Sequence, residues 1–274
     1  MAPACVLISG AMEGAWCWTD RLCQKITDAG FRVLRYDHRD IGRSTQNSGP
    51  GYRLQDLTED VIAILDALGI QNAHFVGHSM GGYICQMLAI DFQERVLSIC
   101  PLGSGPLGDL EAADNRLSPD EQKRMDQTWG VYLARQDSDN TEGHIRGFLE
   151  VYRYLHGTLS MDERIARRYV TEMLSHSPKE TLQAGNCHEM VMRELMQTSS
   201  ERKGILKRIQ VPTLVMHGDH DYAALPRFAI AMSNEIPGAH LCLLAGMGHM
   251  FFSEGLEDTL ASHLIAHMRG LPHV

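Results

Sequence analysis

Ala73-His74-Phe75-Val76-Gly77-His78-Ser79-Met80-Gly81-Gly82 is the stretch that decides how this chain reads. Four residues of strand character, Ala73–Val76, run into Gly77-His78-Ser79-Met80-Gly81, and a helical pattern then continues to Ile90. This is Gly-x-Ser-x-Gly in a strand–turn–helix context. A turn this tight brings the residues two before and two after the serine together, and only glycine leaves room there. The expected result lifts Ser79 Oγ clear of a sheet, at the N-terminus of a helix whose N–H groups can stabilise an oxyanion. A glycine-rich turn with an incidental serine shares the five letters; the flanking strand and helix favour the nucleophile.

Short apolar runs alternate with longer helical patterns on both sides of that turn. Strands are predicted at Val6–Ser9, Phe31–Tyr36, Ala73–Val76 and Arg95–Cys100, with helices at Asp20–Ala29, Leu54–Leu68 and Gly81–Ile90. Leu54, Leu57, Val61, Ile64, Leu65 and Leu68 form the stripe of one buried helix face. Strands apolar on both faces, separated by amphipathic helices, indicate an α/β fold with a parallel sheet covered on both sides. The rhythm breaks over residues 104–203, where only helices are expected. Capping boxes stand at Ser118-Pro119-Asp120-Glu121 and Ser160-Met161-Asp162-Glu163, with an Ile145, Phe148, Leu149, Tyr152 stripe between them. Alternation resumes with strand Thr213–Met216, helix Leu225–Ile236, strand Leu241–Leu244 and a helix over Glu257–Met268. The expected organisation is an α/β core of residues 1–103 and 204–274 interrupted by a helical cap of residues 104–203.

The 274 residues carry 25 Lys plus Arg and 34 Asp plus Glu, a formal charge of −9, with 44% hydrophobic and 22% charged residues. Disordered and fibrous classes are excluded. An acidic chain without a basic stripe argues against nucleic acid or an anionic membrane as partner. No apolar run reaches the length of a membrane span, and the N-terminal residues read as a strand rather than a signal peptide. Cys5, Cys17, Cys23, Cys85, Cys100, Cys187 and Cys242 are odd in number and contain no C-x-x-C pair. Reduced thiols in a cytoplasmic protein account for them.

A serine hydroxyl is a weak nucleophile and needs a base. Ala245-Gly246-Met247-Gly248-His249 follows the last strand, where the C-terminal edge of a parallel sheet would present His249 beside Ser79. The base needs an acid to orient it, and His217-Gly218-Asp219-His220-Asp221 offers two, Asp219 and Asp221. His217, Asp219, His220 and Asp221 could be read as metal ligands, but a serine nucleophile and base already account for the constellation, so no metal and no cofactor is expected. The oxyanion needs backbone donors. Met80 N–H is one by position; Ala11 N–H, in Ser9-Gly10-Ala11-Met12, is the other candidate. Met12, Trp16, His78 and Met250 are expected to line the substrate site. Loss of activity is expected below about pH 6.5, as His249 takes up a proton.

Together these segments resemble the α/β-hydrolase superfamily over essentially the whole chain, in the order Ser…Asp…His. The resemblance implies Ser79 as nucleophile, His249 as base and, from the Gly-x-x-Asp spacing of the acid loop, Asp221 as orienter. Val33-Leu34-Arg35-Tyr36-Asp37-His38-Arg39-Asp40-Ile41-Gly42-Arg43-Ser44-Thr45 is similar to the corresponding loop of anthracycline (aclacinomycin-type) methylesterases, although many family members carry Gly where Asp40 stands. Gly14-Ala15-Trp16-Cys17-Trp18 resembles plant methylesterases and hydroxynitrile lyases. The implied activity is hydrolysis of a carboxylic methyl ester on a small hydrophobic or aromatic, polyketide-like molecule. The same triad serves C–C bond hydrolases, lyases and non-enzymatic ligand receptors of this fold. The family's usual His-Gly is Ser9-Gly10 here, and the leading antiparallel hairpin is missing from the reading. The strand Phe31–Tyr36 would then lie at a sheet edge, to be covered by a second subunit in a homodimer or by the cap.

Overall fold

The computed structural model describes residues 2–46, 51–108, 117–134, 141–176 and 181–271. Six strands form one sheet: β1 (Ala4–Ile8), β2 (Arg32–Arg35), β3 (Ala73–His78), β4 (Val96–Leu102), β5 (Leu214–Gly218) and β6 (His240–Leu244), in the order β2-β1-β3-β4-β5-β6. Every neighbouring pair is parallel. Nine α-helices are described: α1 (Asp20–Asp28), α2 (Leu54–Ala67), α3 (Met80–Asp91), α4 (Pro119–Ala134), α5 (Thr141–Leu155), α6 (Glu163–His176), α7 (Thr181–Gln197), α8 (Pro226–Glu235) and α9 (Leu256–Met268).

Alternate side chains of a strand point to opposite faces, and here both faces are apolar. From β1, Cys5 and Leu7 enter one buried cluster with residues of α1 and α9. Ala4, Val6 and Ile8 enter the other, with residues of α2, α3 and α8. The edge strand β2 is only four residues long and carries Arg at both ends. Short, charged strands blunt an edge against pairing.

The helical patterns hold with small corrections. Leu54, Leu57, Val61 and Leu65 are buried, but α2 stops before Leu68, which is 43% exposed. Ser118 and Glu121 exchange the two bonds of a capping box at α4. At α6 the expected cap shifts from Ser160 to Asp162, whose Oδ1 accepts from the N–H groups of Arg164 and Ile165 at 2.9 and 3.4 Å. Asp wins because its carboxylate adds charge at the positive end of the helix dipole.

Helices α4 to α7 all fall between β4 and β5 in the chain. This insertion is stitched to the segment that follows β6. His249 N–H and Met250 N–H both donate to Leu155 O, at 2.7 and 3.1 Å, and Gly248 N–H to His156 O at 3.1 Å. In the other direction, Thr158 and Leu159 N–H donate to Gly246 O, and Asp162 N–H to Phe252 O. A Cβ on Gly248 would stand 2.3 Å from Leu155 O and 2.4 Å from Gly157 N, inside atoms that cannot move aside singly. We expect Gly248→Ala to cost about 1–3 kcal/mol in urea unfolding. Gly130→Ala in α4, where a Cβ would meet nothing within 4 Å, should be neutral or stabilising. Equal unfolding midpoints for wild type and Gly248→Ala would contradict this account of the stitch.

Candidate active site

Ser79 has φ 51° and ψ −115°, a backbone conformation that non-glycine residues rarely adopt. The surroundings enforce it. A Cβ on Gly77 would lie 2.1 Å from Gly81 O, and one on Gly81 2.3 Å from Ile8 O, so β3, α3 and the end of β1 meet at backbone contact. Ser79 N–H donates to Leu102 O of β4 at 2.9 Å. From Ala73 to Gln86, Ser79 is the one residue that is not buried. Strain of this kind is held in place by tight packing and leaves the hydroxyl accessible.

His249 arrives from the loop after β6. Its Nδ1 lies 2.8 Å from Asp221 Oδ2, and its ring centroid is 4.8 Å from that of His78, the residue before Ser79. Asp221 is fully buried. Its Oδ1 accepts from the N–H groups of Ala223 and Ala224 at 2.8 Å each. Burial alone would raise its carboxyl; His249 outweighs that, helped by His217 and Ala224 N–H, and holds it below the ordinary value. Asp219 goes elsewhere: it is part-exposed and binds Gly246 N–H at 2.6 Å and His220 Nδ1 at 2.7 Å, bracing the loop rather than the imidazole. For His249, burial lowers the titration point, but the Asp221 charge and hydrogen bond, with a further push from Glu13, carry it above 6.5. The acid limb expected from an unperturbed imidazole therefore moves upward.

The loop after β1 lies against Ser79. A Cβ on Gly10 would be 3.1 Å from Ser79 Cβ. Ser9, standing where the family usually has His, donates its hydroxyl to Gly14 O at 3.0 Å and closes the loop on itself. Gly10 N–H donates to Glu13 Oε2 at 2.9 Å, and Met12 N–H to His188 Nδ1 of α7 at 2.9 Å. Between these two bound amides, Ala11 N–H has no acceptor among the described residues; nor has Met80 N–H at the start of α3. Burial pushes His188 down to about 3, so it is neutral near pH 7 and its Nδ1 lone pair is open to Met12 N–H.

The four expected substrate contacts divide. Met12 is part-exposed, with φ 62°. His78 and Met250 are both buried, His78 between Glu13 and the His249 carbonyl, and Met250 in the apolar core. Trp16 stacks on His176 at 5.7 Å and carries the Arg35 guanidinium 4.6 Å over its ring. It lines a cavity of about 380 Å3 between α1 and α6, whose walls include neither Ser79, Asp221 nor His249. Glu13, His188, His217 and the Leu155 carbonyl were not anticipated. The one available signal was the lone charge of Glu13 in the otherwise uncharged run Ser9–Trp18. Asp40 has φ 64°, a conformation that glycine adopts without strain. Among the described residues, one group, Glu13, Cys17 and His78, gathers three metal-ligand types within 4.8 Å, and no helix is long and apolar enough to cross a membrane.

A strained serine between strand and helix, with a buried His–Asp pair delivered by the last two strands of a parallel sheet, defines a class of fold. A model described as the alpha/beta hydrolase fold matches residues 3–256, and the chain belongs to that family. It is 31% identical to rhodomycin D methylesterase DnrP of Streptomyces peucetius, over 96% of this chain and 90% of that protein. It is 25% identical to a 2-hydroxy-6-oxononadienedioate/2-hydroxy-6-oxononatrienedioate hydrolase of Pseudomonas sp, over 89% and 80%. The 2-hydroxy-6-oxo-6-phenylhexa-2,4-dienoate hydrolase from Rhodococcus sp. strain RHA1 shares the fold, with TM-score 0.78, 18% identity and coverage of 98% and 91%. In solution, the His249 imidazole should titrate above pH 6.5 by nitrogen NMR, and Asp221→Asn should bring that midpoint down. A His249 midpoint unmoved by Asp221→Asn would mean that the pair does not form.

Proposed function

We propose that the protein hydrolyses a carboxylic ester by serine catalysis. The observation that carries this reading is the 2.8 Å contact of His249 Nδ1 with buried Asp221, with the imidazole ring 4.8 Å from that of His78, the residue before a serine held at φ 51°. In the proposed cycle, Ser79 Oγ attacks the ester carbonyl as His249 Nε2 takes its proton. Asp221 fixes the imidazole tautomer and stabilises the imidazolium. Ala11 and Met80 N–H groups hold the oxyanion, each worth about 3 kcal/mol in comparable sites. The tetrahedral intermediate collapses to an acyl-enzyme, His249 protonates the departing alcohol, and the same base then activates water for deacylation. This sequence calls for no metal and no cofactor.

The substrate we infer is a methyl ester on a small hydrophobic or aromatic, polyketide-like acid. The named activity of the 31% identical relative and the loop containing Asp40 both support it. Residues 104–203 would act as the cap over Ser79, with Met12 beside the bound ester. A second reading, cleavage of a C–C bond, is favoured by the 25% identical hydrolase of Pseudomonas. Products separate the two: methanol plus acid, or two fragments from a cleaved ketone.

Three results are expected from esterase assays. Ser79→Ala should lose about 10^5- to 10^6-fold in kcat and all labelling by a fluorophosphonate. The acid limb of kcat/KM should fall at a midpoint above 6.5, because the base must be neutral to accept the serine proton and its raised titration keeps it charged to higher pH. Methyl esters of aromatic polyketide acids should be cleaved with release of methanol. Undiminished turnover in Ser79→Ala would end the proposal.

A further inference from the structure

Behind the elbow sits a carboxylate that the reaction as written does not use. Glu13 belongs to the loop after β1, yet its side chain turns inward and is only 12% exposed. Its Oε2 accepts Gly10 N–H at 2.9 Å and lies 2.8 Å from His78 Nδ1. The other ring nitrogen of His78, Nε2, lies 2.9 Å from the carbonyl oxygen of His249. The His78 side chain is wholly buried. Phe251 meets its ring edge-on at 5.2 Å, and the Cys17 thiol faces the same carboxylate.

Proton counting assigns the form of this chain. A backbone carbonyl can only accept, so His78 Nε2 must carry a hydrogen. Glu13 Oε2 already accepts from Gly10, so the hydrogen between it and His78 Nδ1 sits on the nitrogen when Glu13 is ionised. Burial would raise the Glu13 carboxyl, but His78, His249 and Gly10 N–H together hold it below its ordinary value. His78 is thereby held at both nitrogens, between the Glu13 carboxylate and the His249 carbonyl. Hydrogen bonds with an ionised partner are shorter and stronger than neutral ones.

We propose that Glu13 and His78 form a buried carboxylate–imidazole bridge that positions the two halves of the site against each other. One end fixes Gly10, whose neighbour Ala11 supplies the proposed oxyanion donor. The other end fixes the backbone of His249, the proposed base. Gly10 is wedged into this bridge: a Cβ there would stand 2.6 Å from Glu13 Oε2 and 3.1 Å from Ser79 Cβ. Neither Glu13 nor His78 touches substrate; both are positioning residues, and their role rests on the serine-hydrolase reading above. A breach of the bridge lets the donor and the base drift relative to Ser79 without removing either, so it weakens the transition state more than the ground state.

The test uses the full chain with p-nitrophenyl acetate as substrate, phenylboronic acid as tetrahedral analogue, and a fluorophosphonate to count active sites. In Glu13→Gln the amide oxygen still accepts Gly10 N–H, but the carboxylate that faces His78 is gone. We expect kcat per titrated site to fall about 10- to 100-fold with KM within about threefold, and phenylboronic acid to weaken in step with kcat/KM. His78→Asn should show a similar loss, and the double variant should be no worse than the poorer single one, since both break one bridge. A purely structural role would lower the melting temperature and the number of titratable sites, leaving kcat per site alone. Wild-type kcat per site in Glu13→Gln overturns the pair, as do losses that multiply in the double variant. Should His78→Asn not fold, Glu13→Gln decides by itself. A wild-type protein inert to both ester and fluorophosphonate overturns the hydrolase reading, and the pair with it.

Discussion

The whole site hangs on one steric fact: there is no room for a side chain at position 77 or 81. With glycine at both, β3 turns into α3 at backbone contact with the end of β1, and Ser79 is forced to φ 51°. That single bend sets everything that must meet it. The loop after β1 passes so close that a Cβ on Gly10 would stand 3.1 Å from Ser79 Cβ, and the ring of His78 is turned back into the core toward the loop after β6. The elbow is thus the point through which three strand ends are registered, as well as the place where a hydroxyl is displayed.

The second constraint comes from the insertion. Its helices are not simply laid across the sheet. Six backbone hydrogen bonds join residues 155–162 to residues 246–252, and His188 of α7 accepts an amide from the loop after β1. Two of the three loops that carry the candidate site residues are therefore shaped by residues that lie between β4 and β5 in the chain. The third, carrying Asp221, is tied to the His249 loop through Asp219, which binds Gly246 N–H. Backbone groups left without partners are costly when buried, and here each loop satisfies its neighbour's.

Much of the core was legible in the sequence because its signals are local. Apolar strand runs, glycine stops and the stripe of Leu54, Leu57, Val61 and Leu65 obey periodicities that a few residues define. The elbow was legible for the same reason: spacing fixes a turn. What escaped was non-local. Nothing near His188 announces that it will meet Met12, 176 positions away. Nothing near Leu155 marks its carbonyl as the seat of His249. The partners of His78 were non-local too: its ring is buried between Glu13 and the His249 carbonyl. Asp162 replaced Ser160 as a helix cap because a helix start slips easily by a residue or two when two acceptors compete.

The doubly bonded carbonyl of Leu155 has a mechanical meaning. Since that oxygen, at the last residue of α5, receives the amides of both His249 and Met250, α5 cannot swing outward as a rigid flap without pulling the imidazole away from its acid. Any breathing that admits or releases a small molecule must leave this corner closed and take place along the rest of the helical segment. That one anchor also seats His249, the proposed base, so an opening that disturbed it would displace the imidazole as well.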